Sequence, residues 1–252
     1  MNNNHRSLVD GQFGEQAQAY LHSAVHAQGS DLERLASWLA AMPDARVLDM
    51  GCGAGHASFA AANVVASVVA YDLSDRMLAV VNEAAQARNL SNITTCQGMA
   101  EYLPFGDSEF DVVISRYSAH HWHDVGRALR EAKRVLKPGG TLIVIDICSP
   151  GRPTLDVFLQ TIEMLRDPSH VRDYTQGEWL TQVNEAGFTV HDLRNERLTL
   201  EFSSWVSRMN TPSELVAAIR LLQNKATDEV RRYFEVAADG SFASDRLMFM
   251  AQ

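Results

Sequence analysis

VLDMGCGAGH, residues 47–56, sets three glycines at alternate positions behind an apolar run that carries an aspartate. Glycine is used where a side chain would collide with something or where the chain must take a positive φ. Strand, glycine turn and helix in that order predict the carboxyl edge of a parallel sheet, where ligands of such sheets sit. The turn alone does not say which ligand.

Reading outward, short apolar runs alternate with helical patterns. Strands are expected at Arg46–Met50, Val65–Tyr71, Ile93–Cys96, Asp111–Ser115 and Thr141–Ile145, with closing strands at Phe188–Leu193 and Asp245–Ala251. Helices are expected at Ala57–Ala62, Asp75–Arg88 and His123–Leu136, the last with Val125, Ala128, Leu129, Ala132, Val135 and Leu136 on one face. Ser74 reads as an N-cap, and capping boxes are expected at Ser30/Glu33, Thr175/Glu178 and Thr211/Glu214. Fully apolar strands between helices mean parallel strands covered on both faces. The expected fold is α/β, Rossmann-like and doubly wound, with a mostly parallel seven-stranded sheet. It reads as one elaborated domain: an N-terminal helical lid over 1–45, a core over 46–150, and cap helices with closing strands over 151–252.

Composition narrows the class. The chain has 252 residues and a formal net charge of −9, which disfavours a sequence-independent grip on nucleic acid. No apolar run is long enough for a membrane span, and the polar start lacks a secretory signal. Cys52, Cys96 and Cys148 are odd in number and widely spaced, the pattern of reduced thiols in a cytoplasmic protein.

Asp72, 21 residues beyond Gly51, stands at the expected end of the second strand, where a carboxylate accepts ribose hydroxyls. NAD and S-adenosylmethionine (SAM) both carry a ribose. A dinucleotide fingerprint places its third glycine at position 56, which is His56; here that glycine comes one residue early, at Gly55. Asp49 would oppose a pyrophosphate and suits the ammonium of SAM. An NAD-type oxidoreductase therefore stands second, and a SAM-binding protein without turnover third.

VLDMGCGAGH, VAYDLS, QGMAEYLPF, FDVVISRYSAHHWHD and VLKPGG, in that order across residues 47–140, resemble the class I SAM-dependent methyltransferases. Within them the chain is most similar to the small-molecule group that includes the ubiquinone/menaquinone C-methyltransferases. The resemblance implies SAM as cofactor and S-adenosylhomocysteine as product. It implies Gly51, Cys52 and Gly53 beside the methionyl part, Asp49 toward the ammonium and Asp72 on the ribose. It puts Leu73 and Met77 against the adenine, the Ala100 amide at the ring edge, Arg116 in the pocket wall and Tyr20 closing over it. Relatives often carry aspartate where this chain has Met99, so the contact to the adenine amino group moves to Gln97 or Glu101, or to water.

For the acceptor, HHWHD at 120–124 is the richest stretch. Its four ligand-type side chains are too crowded on one turn to hold a metal together. One reading is a helix start, with Asp124 capping and Trp122 packing; the other makes His121 a general base facing the transferred methyl, as the resemblance implies. His120 is expected to point elsewhere, and His26 and Tyr117 are weaker candidates. The place after strand four reads SRYSAHH and lacks the Asn-Pro-Pro-aromatic turn of nitrogen methyltransferases. Phe158, Met164, Tyr174, Trp179, Trp205 and Met209 are apolar material for a cap over a small organic substrate, and Arg152 and Arg172 read as solvated surface.

Overall fold

A computed structural model describes residues 3–14, 21 and 29–252. Its strands are β1 (Arg46–Met50), β2 (Ser67–Asp72), β3 (Ile93–Gln97), β4 (Phe110–Arg116), β5 (Leu136–Cys148), β6 (Val190–Leu200) and β7 (Phe242–Ala251). They form one seven-stranded sheet in the order β3-β2-β1-β4-β5-β7-β6. The first five run parallel, and β7 runs antiparallel to both of its neighbours. The order reverses beside β1, between β1 and β4, which opens a crevice at their carboxyl ends.

Helices cover both faces, which is why the central strands are apolar without alternation. Val47, Val112, Ile114 and Ile143 pack under α2 (Ser30–Leu39) and α3 (His56–Ala62). Leu48, Val113, Leu142 and Val144 face the other way, against α5 (Val125–Val135) and α7 (Gln176–Glu185). The remaining helices are α1 (Asn3–Gly14), α4 (Asp75–Ala87), α6 (Pro153–Arg166), α8 (Phe202–Ser207), α9 (Ser213–Lys225) and α10 (Asp228–Tyr233). Helices α6, α8, α9 and α10 build a separate apolar cluster around Leu155, Ile162, Trp205, Ile219 and Phe234. None of the described helices is long and apolar enough to cross a membrane.

Element boundaries depart from the sequence reading where pairing overrides local pattern. β5 runs 13 residues instead of five, because β4 holds its start and β7 its whole second half. β6 extends to Leu200 through polar residues, since β7 supplies a partner along its length while one face stays wet. The Thr175/Glu178 capping box forms as expected. The other two do not. Ser30 lies inside α2, whose N-cap is Gly29, and its hydroxyl accepts from Arg246. Thr211 donates its hydroxyl to the Arg166 carbonyl, and Pro212 takes the N-cap position. Ser74 is at the N-cap of α4 but makes no capping bond with its side chain.

The expected cap residues divide. Trp205 and Phe158 belong to the apolar cluster built by α6, α8, α9 and α10. Trp179 instead packs on Phe249, ring centroids 5.6 Å apart, inside the sheet core. Met164 is exposed.

Candidate active site

The glycine turn after β1 takes positive φ at Gly51, Gly53 and Gly55. The three positions have different reasons. A Cβ on Gly51 would lie 1.8 Å from Ser118 Oγ, and one on Gly55 would run into Phe59 and Val81. A Cβ on Gly53 would meet nothing within 4 Å. Two of the glycines therefore serve close packing, and Gly53 alone faces open space. That distinction is not visible in their spacing.

Asp72 ties this turn to β2. Its Oδ2 accepts the Gly53 amide at 2.8 Å and its Oδ1 accepts the Ser74 amide at 2.9 Å. Burial raises its pKa, and the two amides temper the rise.

A recess opens over the turn, walled by Asp49, Cys52, Gly53, Met77, Arg116 and Tyr117. Asp49 is buried; its Oδ2 accepts from the Ser58 hydroxyl at 2.6 Å, and its Oδ1 has no hydrogen-bond partner among the described residues. Burial pushes the Asp49 carboxyl up to about 6, with Ser58 and Arg116 pulling the other way. Arg116 donates from Nε to Asp31 Oδ2 at 2.6 Å, and its buried Nη2 finds no acceptor among the described residues. Asp31 also accepts from Arg246 at 2.9 Å, so α2, β4 and β7 share one buried ion cluster. Tyr117 sits at φ +51°, under the Arg116 guanidinium.

The expected adenine side is partly committed to the protein. Glu101 turns away from the recess, its Oε1 accepting the amides of His123 and Asp124. Gln97 donates to the Leu73 carbonyl, the Met99 carbonyl accepts from the Tyr71 hydroxyl, and Ala100 is buried in the core below. Tyr20 and His26 lie outside the described residues.

Beyond β4 the chain makes a single 3₁₀ turn, Ala119–His121. Asp124 caps α5 through the Arg127 amide and Trp122 is buried, as the helix-start reading expects. The two histidines do not diverge: their ring centroids are 4.2 Å apart. Both pack under the segment between α6 and α7, which donates the Val171 and Arg172 amides to the His120 carbonyl. His120 Nδ1 meets Asp146 Oδ1 at 2.5 Å. Burial opposes a charge on His120, but the Asp146 carboxylate overrides it and lifts the pKa to about 9. His121 is held well below the ordinary histidine value by burial and by His120 and His170. Arg172 pairs with Glu178 and Asp156, and Arg152 with Glu229, so both are engaged at the surface.

Asp31, Asp146 and Asp167 were not singled out in the sequence. Asp146 had a signal: an acidic residue inside the otherwise apolar run LIVIDIC. Asp31 had none, because its partners are 85 and 215 residues away.

A family model described as a methyltransferase domain matches residues 48–144. The chain is 61% identical over 198 residues to the uncharacterized protein YafE of Escherichia coli K12, covering 79% of this chain and 96% of that one. It is 36% identical over 222 residues to the uncharacterized methyltransferase YcgJ of Bacillus subtilis, covering 88% of each. The crystal structure of YcgJ superposes with a TM-score of 0.82 at 33% identity, over 87% of this chain and 97% of that one. A shorter match, 38% over 129 residues, is to the 2-phytyl-1,4-naphtoquinone methyltransferase of Synechococcus elongatus, covering 49% of this chain and 54% of that one.

Proposed function

Since the chain belongs to the methyltransferase-domain family, we propose that it uses SAM to methylate a small organic acceptor at a carbon or oxygen nucleophile. The observation that carries this reading is the pair of unmatched buried groups in one recess. Asp49 Oδ1 lacks a donor and Arg116 Nη2 lacks an acceptor among the described residues. An α-amino acid group brings an ammonium and a carboxylate, which suit the two. A pyrophosphate would set its charge against Asp49.

In this reading the Gly53 position leaves the room the methionyl part needs, beside Cys52 and below Gly51. Asp72, with lone pairs beyond those that hold Gly53 and Ser74, takes the ribose hydroxyls. Leu73 and Met77 pack on the adenine, with the Ala100 amide at its edge. With Glu101 committed to the 123–124 backbone, the adenine amino group falls to Gln97 or to water, and Met99 offers a flat contact.

SAM supplies an activated methyl group when bound; the chain must align the acceptor and receive any proton it sheds. His121 is the group for the proton. Burial holds its pKa well below the ordinary histidine value, and it stands beyond the carboxyl end of β4, the edge where ligands of such sheets sit. The apolar cap cluster and Tyr117, which packs on it, suit an acceptor with an apolar body. A cytoplasmic setting fits the three free thiols.

Calorimetry with SAM, S-adenosylhomocysteine, NAD and NADP tests the cofactor, and an acceptor screen follows. Binding of the first two is expected; binding of a dinucleotide in their place overturns the reading. With an acceptor in hand, His121→Ala is expected to cut turnover about 10²-fold. S-adenosylhomocysteine affinity should stay within about threefold. A fall in turnover that only follows a fall in affinity makes His121 a pocket wall.

A further inference from the structure

We propose that Asp146 and His120 are a positioning pair for His121: the Asp146 carboxylate fixes His120 as a cation against the His121 ring, which then presents a neutral imidazole with its lone pair on Nε2. The inference rests on the reading of His121 as the proton acceptor.

Asp146 lies in β5 with its side chain buried. Its Oδ2 accepts the Ala119 amide at 3.0 Å; its Oδ1 accepts the Ile147 amide at 2.8 Å and meets His120 Nδ1. One carboxylate thus pins both the start of the 3₁₀ turn and the first of its two imidazoles. A carboxylate beside an imidazole favours the imidazolium form of its partner. The His120 ring, tilted 55° from that of His121, then sets a positive charge against a second imidazole. A neighbouring cation disfavours protonation of that second ring.

Ser169 decides which nitrogen of His121 holds the proton. The Ser169 hydroxyl donates to Asp167 Oδ1 at 2.6 Å, so its hydrogen is committed. The Ser169 carbonyl and hydroxyl oxygen, each 3.3 Å from His121 Nδ1, are both left as acceptors. These acceptors favour the tautomer the proposal assigns, with the hydrogen on Nδ1. Asp167 Oδ2 lies 3.9 Å from Nε2, where it would favour the imidazolium formed once a proton is taken.

The charged surroundings come from several elements. From α6, Glu163 faces His120 and Arg166 faces His121; from the segment after it come Asp167, His170 and Asp173. Arg166 and a charged His120 oppose a second charge on His121, whereas Asp167 favours one. His170 is held down to about 3 by burial and by the neighbouring cations, and it in turn opposes a charge on His121. Burial is the first cause that holds His121 down, and His120 is the largest of the charged neighbours.

Nitrogen-15 spectra of the imidazoles test this in the full chain, with no acceptor required. In the wild type, His120 should be protonated on both ring nitrogens at neutral pH, and His121 should hold the Nδ1–H form through the ordinary histidine range near pH ~6.5. In His120→Gln, which removes the cation and keeps a donor for Asp146, the His121 midpoint should rise by about one pH unit or more. Asp146→Asn should release His120 from its charged form and move His121 in the same direction. A neutral His120 in the wild type, or a His121 midpoint unmoved in a folded His120→Gln, overturns the proposal. If the variants do not fold, the wild-type spectrum still decides the charge of His120 and the tautomer of His121. Turnover of His121→Ala tests the proton-acceptor reading separately, since the spectra report the pair whether or not His121 acts on the acceptor.

Discussion

Asp72 Oδ2 accepts the backbone amide of Gly53 at 2.8 Å, joining the end of β2 to the one glycine of the turn that faces open space. The same carboxylate that is proposed to hold the ribose thus also holds the loop.

Asp72→Ala should therefore show two effects. S-adenosylhomocysteine binding is expected to weaken by roughly 1.5–3 kcal/mol, the scale of a hydrogen bond to a charged group. The melting temperature of the ligand-free protein should also fall, because the Gly53 and Ser74 amides lose their acceptor. Asp72→Asn keeps one acceptor oxygen and should lose less of both. Calorimetry and thermal melts separate the two effects, and unchanged affinity in a folded Asp72→Ala removes the ribose role.

The glycines divide by what they would lose. Gly51→Ala drives a methyl group into Ser118 Oγ and should destabilise the fold by roughly 1–3 kcal/mol. Gly53→Val keeps the packing but narrows the recess, so ligand affinity should suffer beyond the strain of its positive φ. Denaturant titration should single out the first variant and ligand titration the second. Wild-type affinity in Gly53→Val would put the ligand elsewhere.

Asp49 should make both ligand binding and stability depend on pH. Burial raises its pKa in the folded state to about 6, above the unfolded value. The fold thus binds this proton more readily than the unfolded chain does. The cost of burying the charge is present in full above about pH 6 and is relieved as the pH falls toward 4. Asp49→Asn should therefore stabilise the ligand-free protein above about pH 6, by at most about 3 kcal/mol. The same variant should bind SAM more weakly. In the wild type, SAM affinity should decline as the pH drops through about 6, since a neutral carboxyl no longer attracts the ammonium. A flat affinity profile between pH ~5 and ~8 would separate Asp49 from the ligand.

Asp31 joins Arg116 and Arg246 with almost no exposure to water. Removing one member of a buried ion cluster leaves uncompensated charge, so Asp31→Ala should cost about 3–5 kcal/mol in stability. The orientation of Arg116 should loosen with it, weakening SAM binding while leaving 5′-methylthioadenosine, which lacks the amino acid group, unaffected. Equal losses for both ligands would place the effect in the fold alone.

Much of the sheet was legible because its signals are local. The strands of the core announce themselves by apolar runs that both-faced burial requires, and the glycine turn with Asp72 follows at short chain distance. Thr175 and Glu178 are three residues apart, so their capping box could be read directly, and it forms. Ser30 offered the same pattern, yet Arg246 claims its hydroxyl from 216 residues away. No local pattern carries that competition.

The sequence by itself determined the α/β fold, the order of strand, turn and helix, and the carboxylates at the ends of the first two strands. Periodicity and neighbour chemistry are written in consecutive residues, and both act over a few ångströms of chain. Tertiary structure alone decided which glycine faces the recess, where Glu101 points, and the opposite directions in which the pKa values of two adjacent histidines are pushed. Those outcomes depend on burial and on partners drawn from distant segments: Ser118 against Gly51, the 123–124 backbone against Glu101, Asp146 against His120. Adjacent His120 and His121 are the same residue type, so only their surroundings can set their protonation apart.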